Sequence, residues 1–147
     1  MKEIVRYMTI EDKDEVLQMM KVFYESEAVL SNGSKEIFNS DFENCINDNP
    51  YLEGYIFEEN NSILGYAMIA KSFSTEFGKP CIWIEDIYLK EEYRNQGIGS
   101  RFFEYIDNKY PHHLKRLEAE KENTRAIHVY HKKGYEILPY MELVKKQ

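Results

Sequence analysis

Apolar side chains in the first fifty residues recur mostly at every third or fourth position, the spacing of helices that bury one face. A short apolar run at residues 4–8 indicates an opening strand. The helical spacing then predicts a first helix over about residues 10–30, with Thr9 at its N-cap. It predicts a second helix that Ser34 caps and that ends before Pro50.

The middle of the chain has the composition of strands. The β-branched and aromatic runs at residues 51–58 and 63–73 predict a hairpin. Residues 81–89 are apolar on both faces, as in a strand buried in mid-sheet, apart from Glu85 and Asp86 at their centre. A buried acid without a partner is costly, so this pair requires an explanation.

The last third of the chain alternates helices and strands. It predicts a helix from Ile98 that ends before Pro111, a strand at 114–120, a helix at 123–133 closed by Gly134, and a strand at 135–144 with a bend near Pro139. The complete order, β-α-α-β-β-β-α-β-α-β, predicts a mixed α/β fold with an antiparallel meander followed by a crossover unit. No linker or repeat interrupts the sequence, so we expect one domain over residues 1–147.

The composition is that of a globular chain, with 43% of its 147 residues apolar and 31% charged. No apolar run reaches the roughly 20 residues of a membrane span, and the opening residues lack the apolar stretch of a signal peptide. Cys45 and Cys81 make a poor disulfide framework and no metal set. We therefore expect a cytoplasmic protein with reduced thiols, no membrane partner and no metal.

The net charge of −7 argues against a nucleic-acid partner, because proteins that bind nucleic acid carry a basic patch or stripe. Residues 1–75 hold 6 Lys and Arg against 14 Asp and Glu, a net of −8, whereas residues 76–147 hold 13 against 12. An acidic half beside a near-neutral half suits a cationic substrate that meets an anionic cofactor. Solubility alone explains the same asymmetry, and the sequence leaves both explanations open.

A glycine-containing turn, Arg94-Asn95-Gln96-Gly97-Ile98-Gly99-Ser100, lies between the buried strand and an amphipathic helix. Glycines let a ligand approach the backbone, and the unpaired N–H groups at a helix start form an anion site that suits phosphates. A P-loop would need Gly-Lys-Ser/Thr, but Gly99 is followed by Ser100 and Arg101. A dinucleotide fingerprint would need a third glycine where Phe102 stands.

In this context the turn resembles motif A of the GNAT superfamily of N-acetyltransferases, Arg/Gln-x-x-Gly-x-Gly/Ala after a strand. Residues 123–135, with Asn123, Ala126, Tyr130 and the Gly134-Tyr135 pair, look like motif B, residues 83–89 look like the family's fourth strand, and the element order is similar over essentially the whole chain. The acidic pair Glu85-Asp86 ahead of Arg94 is closest to the polyamine (spermidine/spermine-type) acetyltransferases.

The resemblance implies a mostly antiparallel sheet whose fourth and fifth strands splay apart at a bulge in the fourth. It also implies acetyl-CoA as cosubstrate, its pyrophosphate held by backbone N–H groups of the turn and its pantetheine arm paired with the fourth strand. The implied contacts are Ile87, Tyr88, Leu89, Arg94, Asn95, Gln96, Gly97, Ile98, Gly99, Ser100, Asn123 and Tyr130. The Arg94 side chain can equally be solvated, and Asn123 can simply cap the last helix.

The implied reaction is aminolysis of a thioester by a primary amine. Such an amine has a pKa near 10.4 and arrives protonated, so a carboxylate base must take its proton. Glu85 is the candidate base, and Asp86 remains a candidate because a bulge changes which neighbour faces the cleft; both acids are candidate substrate contacts. Both can also act by attraction of the cation alone. Tyr130 falls on the motif B position of the general acid, although a tyrosine on a helix can also be ordinary packing.

These observations predict an N-acetyltransferase that acts on a small cationic amine through a ternary complex. Two alternatives stay open: a protein or peptide N-acetyltransferase, and a non-catalytic acyl-CoA-binding module. The four histidines lack the partners of a known metal spacing, so we expect them to be solvated. The aromatic last third of the chain also permits a homodimer.

Overall fold

A five-stranded sheet organises the computed structural model, which describes residues 2–147. Its elements are β1 (Val5–Tyr7), α1 (Lys13–Tyr24), α2 (Lys35–Ile46), β2 (Leu52–Glu59), β3 (Ser62–Ser74), β4 (Lys79–Leu89), α3 (Ile98–Lys109), β5 (Leu114–Leu117) and α4 (Thr124–Lys132). Neighbouring strands from β1 to β4 pair antiparallel, and β5 pairs parallel with β4. The expected mixed α/β fold with a mostly antiparallel sheet is confirmed.

Each face of the sheet carries an apolar core. Ala67 and Ile69 of β3 pack on the side of α3, together with Phe102. Tyr66 and Met68, which alternate with them, pack on the side of α1 and α2. Because successive strand residues point to opposite faces, the apolar run of β3 supplies both cores at once.

β4 has a bulge at Glu85. Ile84 lies opposite Ile69 and Asp86 lies opposite Met68, so Glu85 is an extra residue without a partner on β3. Ile84 accordingly belongs to the core on the α3 side, whereas Asp86 faces the α1–α2 side with Met68. The bulge thus overrides the alternation that would otherwise put Ile84 and Asp86 on one face.

β4 and β5 separate just where the bulge begins. Their pairing runs from Cys81–Leu114 to Ile84–Leu117, and the remaining residues of β4 pair with β3 alone. The edge of β4 from Glu85 to Leu89 is therefore not covered by β5. The strand expected at 114–120 ends at Leu117, because its pairing with β4 ends there.

Two further predicted elements are wrong in extent or existence. The first helix does not span 10–30: residues 10–12 form a separate 3-10 turn, and α1 ends at Tyr24, after which the Ser26 hydroxyl donates a 2.6 Å hydrogen bond to the carbonyl of Phe23. The strand expected at 135–144 is absent, since no regular secondary structure forms over 135–147. Pro139 lacks a backbone donor in the middle of that segment, and the four-residue β5 offers only a short edge for pairing.

Candidate active site

The glycine turn has the backbone shape of an anion site. Asn95 and Gly97 adopt left-handed conformations, with φ of 64° and 82°, and Gly97 is the N-cap of α3. No side chain caps this helix and no acid lies in its first turn. A Cβ atom added to Gly97 or Gly99 would meet no atom within 4 Å, so the approach to the helix start is open. Unpaired N–H groups and the helix dipole favour an anion here.

Side chains around the turn connect it to β4 and α4. Arg94 folds back toward the strand: its Nε donates a 2.9 Å hydrogen bond to the carbonyl of Leu89, and its guanidinium lies 5.6 Å from the ring centroid of Tyr88. Arg125 of α4 donates to the side chain of Asn95. Arg94 is therefore held at the end of β4.

Asn123 caps α4, which is the alternative role that the sequence left open for it. Its Oδ1 accepts a hydrogen bond from the backbone N–H of Ala126 at 3.4 Å. The side-chain N–H groups of Asn123 remain as donors, so capping is compatible with a contact to a ligand.

A cavity of about 180 Å³ opens on the α1–α2 side of the bulge. It brings Glu85 and Asp86 together with Tyr24 and Asp41, two polar residues that the sequence did not single out. Its lining residues are Tyr24, Asp41, Leu52, Met68, Ala70, Glu85 and Asp86. Helices α1 and α2 and strands β2, β3 and β4 therefore all contribute to one concave site.

The two neighbouring acids have different surroundings. Asp86 is buried, with 4% of its surface exposed, and both of its oxygens accept hydrogen bonds: Oδ1 from the Tyr24 hydroxyl at 2.9 Å and Oδ2 from the Tyr66 hydroxyl at 2.8 Å. Burial raises the pKa of Asp86, and the two hydrogen bonds oppose that rise. Glu85 is exposed. Of the two acids, Glu85 has the carboxylate that can reach an incoming substrate.

The cavity concentrates negative charge. Although much of the Glu85 surface is exposed, the part that faces the cavity wall loses hydration, which raises the pKa of Glu85, and the carboxylates of Asp86, Glu142 and Asp41 raise it further. Burial, followed by repulsion from Asp86, raises the pKa of Asp41 to about 6. Within residues 2–147 no lysine or arginine forms an ion pair with Asp41, Glu85 or Asp86. The described lysine and arginine side chains therefore do not neutralise these three carboxylates.

Tyr130 lies outside this cavity, on α4. Its ring meets that of Phe103 edge to face, with 5.9 Å between centroids, and burial raises the pKa of its hydroxyl. Tyr130 packs against the α3-side core, as do Ile87 and Leu89 of β4. Tyr130 therefore lies on the α3 side of the sheet and the acidic cavity lies on the α1–α2 side, with the uncovered edge of β4 between them.

Sequence reasoning missed Tyr24, Asp41 and Tyr66. Asp41 left a signal, because it lies three residues after Phe38 and four before Cys45, on the stripe that the second helix buries. A carboxylate on an apolar stripe needs an explanation in the same way as the acidic pair of β4. The two tyrosines left no comparable signal, since aromatic residues are ordinary in helices and strands that face a core.

Over residues 2–147, no three His, Cys, Asp or Glu side chains are grouped so that they could hold a metal ion. None of the helices in this part of the chain is both long and apolar enough to cross a membrane.

Comparisons with known proteins identify the family. The profile of the acetyltransferase (GNAT) family matches residues 14–135, and the chain belongs to that family. A thialysine N-epsilon-acetyltransferase of Bos taurus is 46% identical over 44 residues, which cover 30% of this chain and 25% of that relative. The match therefore spans about a quarter of the relative's length.

Solved structures agree on the fold. A possible acetyltransferase from Clostridium difficile 630 superposes with a TM-score of 0.82 at 20% identity, covering 97% of this chain and 96% of the other. A predicted acetyltransferase with acetyl-CoA from Clostridium acetobutylicum gives a TM-score of 0.74 at 24% identity, covering 95% and 94%. These likenesses show that the chain shares the fold of the two structures, and the profile match shows its family.

Proposed function

We propose that this protein transfers the acetyl group of acetyl-CoA to the primary amine of a small cationic molecule. The observation that carries the proposal is the cavity beside the bulge, where Asp41, Glu85 and Asp86 meet and none of them is paired with a lysine or arginine of residues 2–147. A cation in such a site gains more from carboxylates than it would in water, because the local dielectric is lower. The polyamine-type resemblance of the sequence agrees with this chemistry.

The cosubstrate would bind along the uncovered edge of β4 and at the start of α3. Backbone N–H groups from Gln96 to Ser100 would hold the pyrophosphate, and the strand edge at Ile87–Leu89 would pair with the pantetheine amides. Support for this placement comes from the open surface at Gly97 and from the end of β5 pairing at Ile84. Asn123 would add a side-chain donor.

Glu85 is the proposed base and Tyr130 the proposed acid. Glu85 takes a proton from the substrate ammonium, and the amine nitrogen attacks the thioester carbonyl carbon. The N–C bond forms and the C–S bond breaks, while Tyr130 donates its proton to the departing CoA thiolate. The nitrogen gives up a second proton: of the two protons that it loses, one restores the Tyr130 hydroxyl and the other leaves Glu85 for solvent, while the proton from Tyr130 stays on CoA.

The test is an acetyl-transfer screen that follows the release of CoA with polyamines, aminoglycosides, amino acids and peptides as acceptors. We expect turnover with small di- and polycationic amines, and rates that fall with added salt, because salt screens the attraction of the cation to the cavity. A preference for peptides would overturn the substrate class and favour a protein acetyltransferase. Stabilisation by acetyl-CoA without turnover of any acceptor would favour a binding module.

A further inference from the structure

We infer that Tyr24 binds the amine substrate, and that Asp86 is a positioning residue that orients the Tyr24 hydroxyl for this purpose. The inference rests on the proposed function and names residues through which the same site selects an amine. Tyr24, near the C-terminal end of α1, lines the cavity that Glu85 and Asp41 also line.

The hydrogen bond to Asp86 fixes where the proton of Tyr24 points. A tyrosine hydroxyl has one proton to donate and lone pairs that accept. The proton of Tyr24 is directed to Oδ1 of Asp86, at 2.9 Å. Burial and the neighbouring carboxylates raise the pKa of Tyr24, so the hydroxyl keeps this proton. Its lone pairs are what it can offer to a molecule in the cavity.

The Tyr24 ring is held in place by aromatic contacts. It lies 5.2 Å from the ring of Phe38 and 5.4 Å from the ring of Phe23, measured between centroids. Aromatic pairs at such distances add to the energy of burial. The ring is thereby restrained from two sides, and the hydroxyl is restrained by Asp86.

The polar side chains that line the cavity offer hydrogen-bond acceptors to a ligand. Tyr24 contributes a hydroxyl oxygen, and Asp41 and Glu85 contribute carboxylates when they are ionised. A primary ammonium brings three N–H donors, which such a wall can satisfy. A carboxylate or phosphate brings acceptors only and would be repelled. The arrangement therefore selects for a primary ammonium group.

Asp86 itself is too buried to serve the substrate directly. Both of its oxygens are occupied by tyrosine hydroxyls, and 4% of its surface is exposed. Besides the negative charge that it adds to the site, Asp86 acts on the amine by orienting the Tyr24 hydroxyl. Tyr66, the second partner of Asp86, is fully buried and does not line the cavity.

This pair of tyrosines supplies a matched experiment. Tyr24→Phe and Tyr66→Phe each remove one hydroxyl bonded to Asp86, and only Tyr24 lines the cavity. We expect Tyr24→Phe to raise the KM for 1,3-diaminopropane about tenfold, the effect of a hydrogen bond to a charged group, with kcat and the KM for acetyl-CoA nearly unchanged. Tyr66→Phe should lower the melting temperature yet change the amine KM less than twofold.

A double variant tests the positioning role of Asp86. Asp86→Asn should raise the amine KM, and adding Tyr24→Phe should raise it little further, because the two residues act as one unit. Equal KM changes in the two tyrosine variants, or no change in either, would overturn the inference. The proposed function would still stand in that case if the unaltered protein acetylates small amines.

Calorimetry with 1,3-diaminopropane alone tests the same contact without turnover. Tyr24→Phe should weaken the measured affinity about tenfold and Tyr66→Phe should not. This holds even if the protein acetylates no small amine, in which case the proposed function fails and the binding result stands. Absence of amine binding by the unaltered protein, or equal affinity in Tyr24→Phe, would overturn the inference.

Discussion

The ring of Tyr130 meets the ring of Tyr135 edge to face, with 6.4 Å between their centroids. Both rings also pack against Phe103, at 5.9 Å and 5.6 Å. Burial raises the pKa of both hydroxyls. The two tyrosines thus share one packing environment, while the proposed chemistry assigns the proton transfer to Tyr130 alone.

Tyr130→Phe is expected to lower kcat about 10²-fold or more, because it removes the proton donor for the thiolate and keeps the ring. Acetyl-CoA affinity should change little. Tyr135→Phe is the matched control: it removes a hydroxyl from the same aromatic cluster and should leave kcat within about twofold. Steady-state kinetics at saturating concentrations of both substrates measure the difference. An unchanged kcat in Tyr130→Phe would show that the hydroxyl has no catalytic role and that Tyr130 contributes only by packing.

Gly97→Leu is expected to abolish the stabilisation that acetyl-CoA gives, because a side chain would block the approach of phosphates to the start of α3. Gly78→Leu is the control, since Gly78 also has a positive φ, 64°, and open space around it. Each substitution costs about 1–2 kcal/mol of backbone strain. Only Gly78→Leu should keep a ligand stabilisation of about 2.7 kcal/mol at 100 times the dissociation constant.

Thermal unfolding with and without acetyl-CoA measures both variants. If the unaltered protein itself shows no shift with acetyl-CoA, the placement of the cosubstrate is wrong. If Gly97→Leu keeps the full shift, the pyrophosphate lies elsewhere.

Glu85→Gln is expected to lower kcat about 10²-fold or more by removal of the proposed base. Part of the activity should return at high pH, where the amine loses its proton without help. In the unaltered protein, the raised pKa of Glu85 predicts a loss of kcat/KM on the acid side, as the base becomes protonated. A pH–rate profile that is the same in both proteins would show that Glu85 is not the base.

Asp41→Asn is expected to remove two pH effects together. The folded pKa of Asp41, about 6, exceeds its ordinary value of 3.8, so the folded chain binds this proton more tightly than the unfolded chain. The unfolding free energy should therefore rise as pH falls from about 7 toward 4, while the KM for a dication rises as Asp41 loses its charge. Urea unfolding and the amine KM are measured at several pH values in the unaltered protein and in Asp41→Asn. The difference between the two proteins gives the contribution of Asp41 to each pH dependence, apart from the contributions of Glu85 and Asp86.

The sequence predicted the elements that follow from local periodicity. The hairpin of β2 and β3, the long strand β4 and the helix begun by Gly97 all form, because each depends on neighbouring residues. The strand expected at 135–144 does not form, since strand composition alone cannot provide a partner edge.

The candidate site was predicted only in part. The bulge at Glu85 cannot be read from β4 itself, because two adjacent acids give no indication of which one is extra. Tyr24 and Asp41 come from helices far away in the chain, and their approach to Asp86 is a result of tertiary packing. Site residues that lie within one strand or turn could be predicted from the sequence, whereas residues that tertiary packing brings together could not.

Glu85 is the residue of β4 that the sheet does not require. Without it, Ile84 opposite Ile69 and Asp86 opposite Met68 would follow one another in unbroken register, and each would keep its present core. A bulge interrupts the ladder, so deletion of Glu85 should leave a foldable and more regular sheet. Because the register on both sides does not depend on this side chain, other residue types can stand at position 85 without a change in the pairing of β4 with β3.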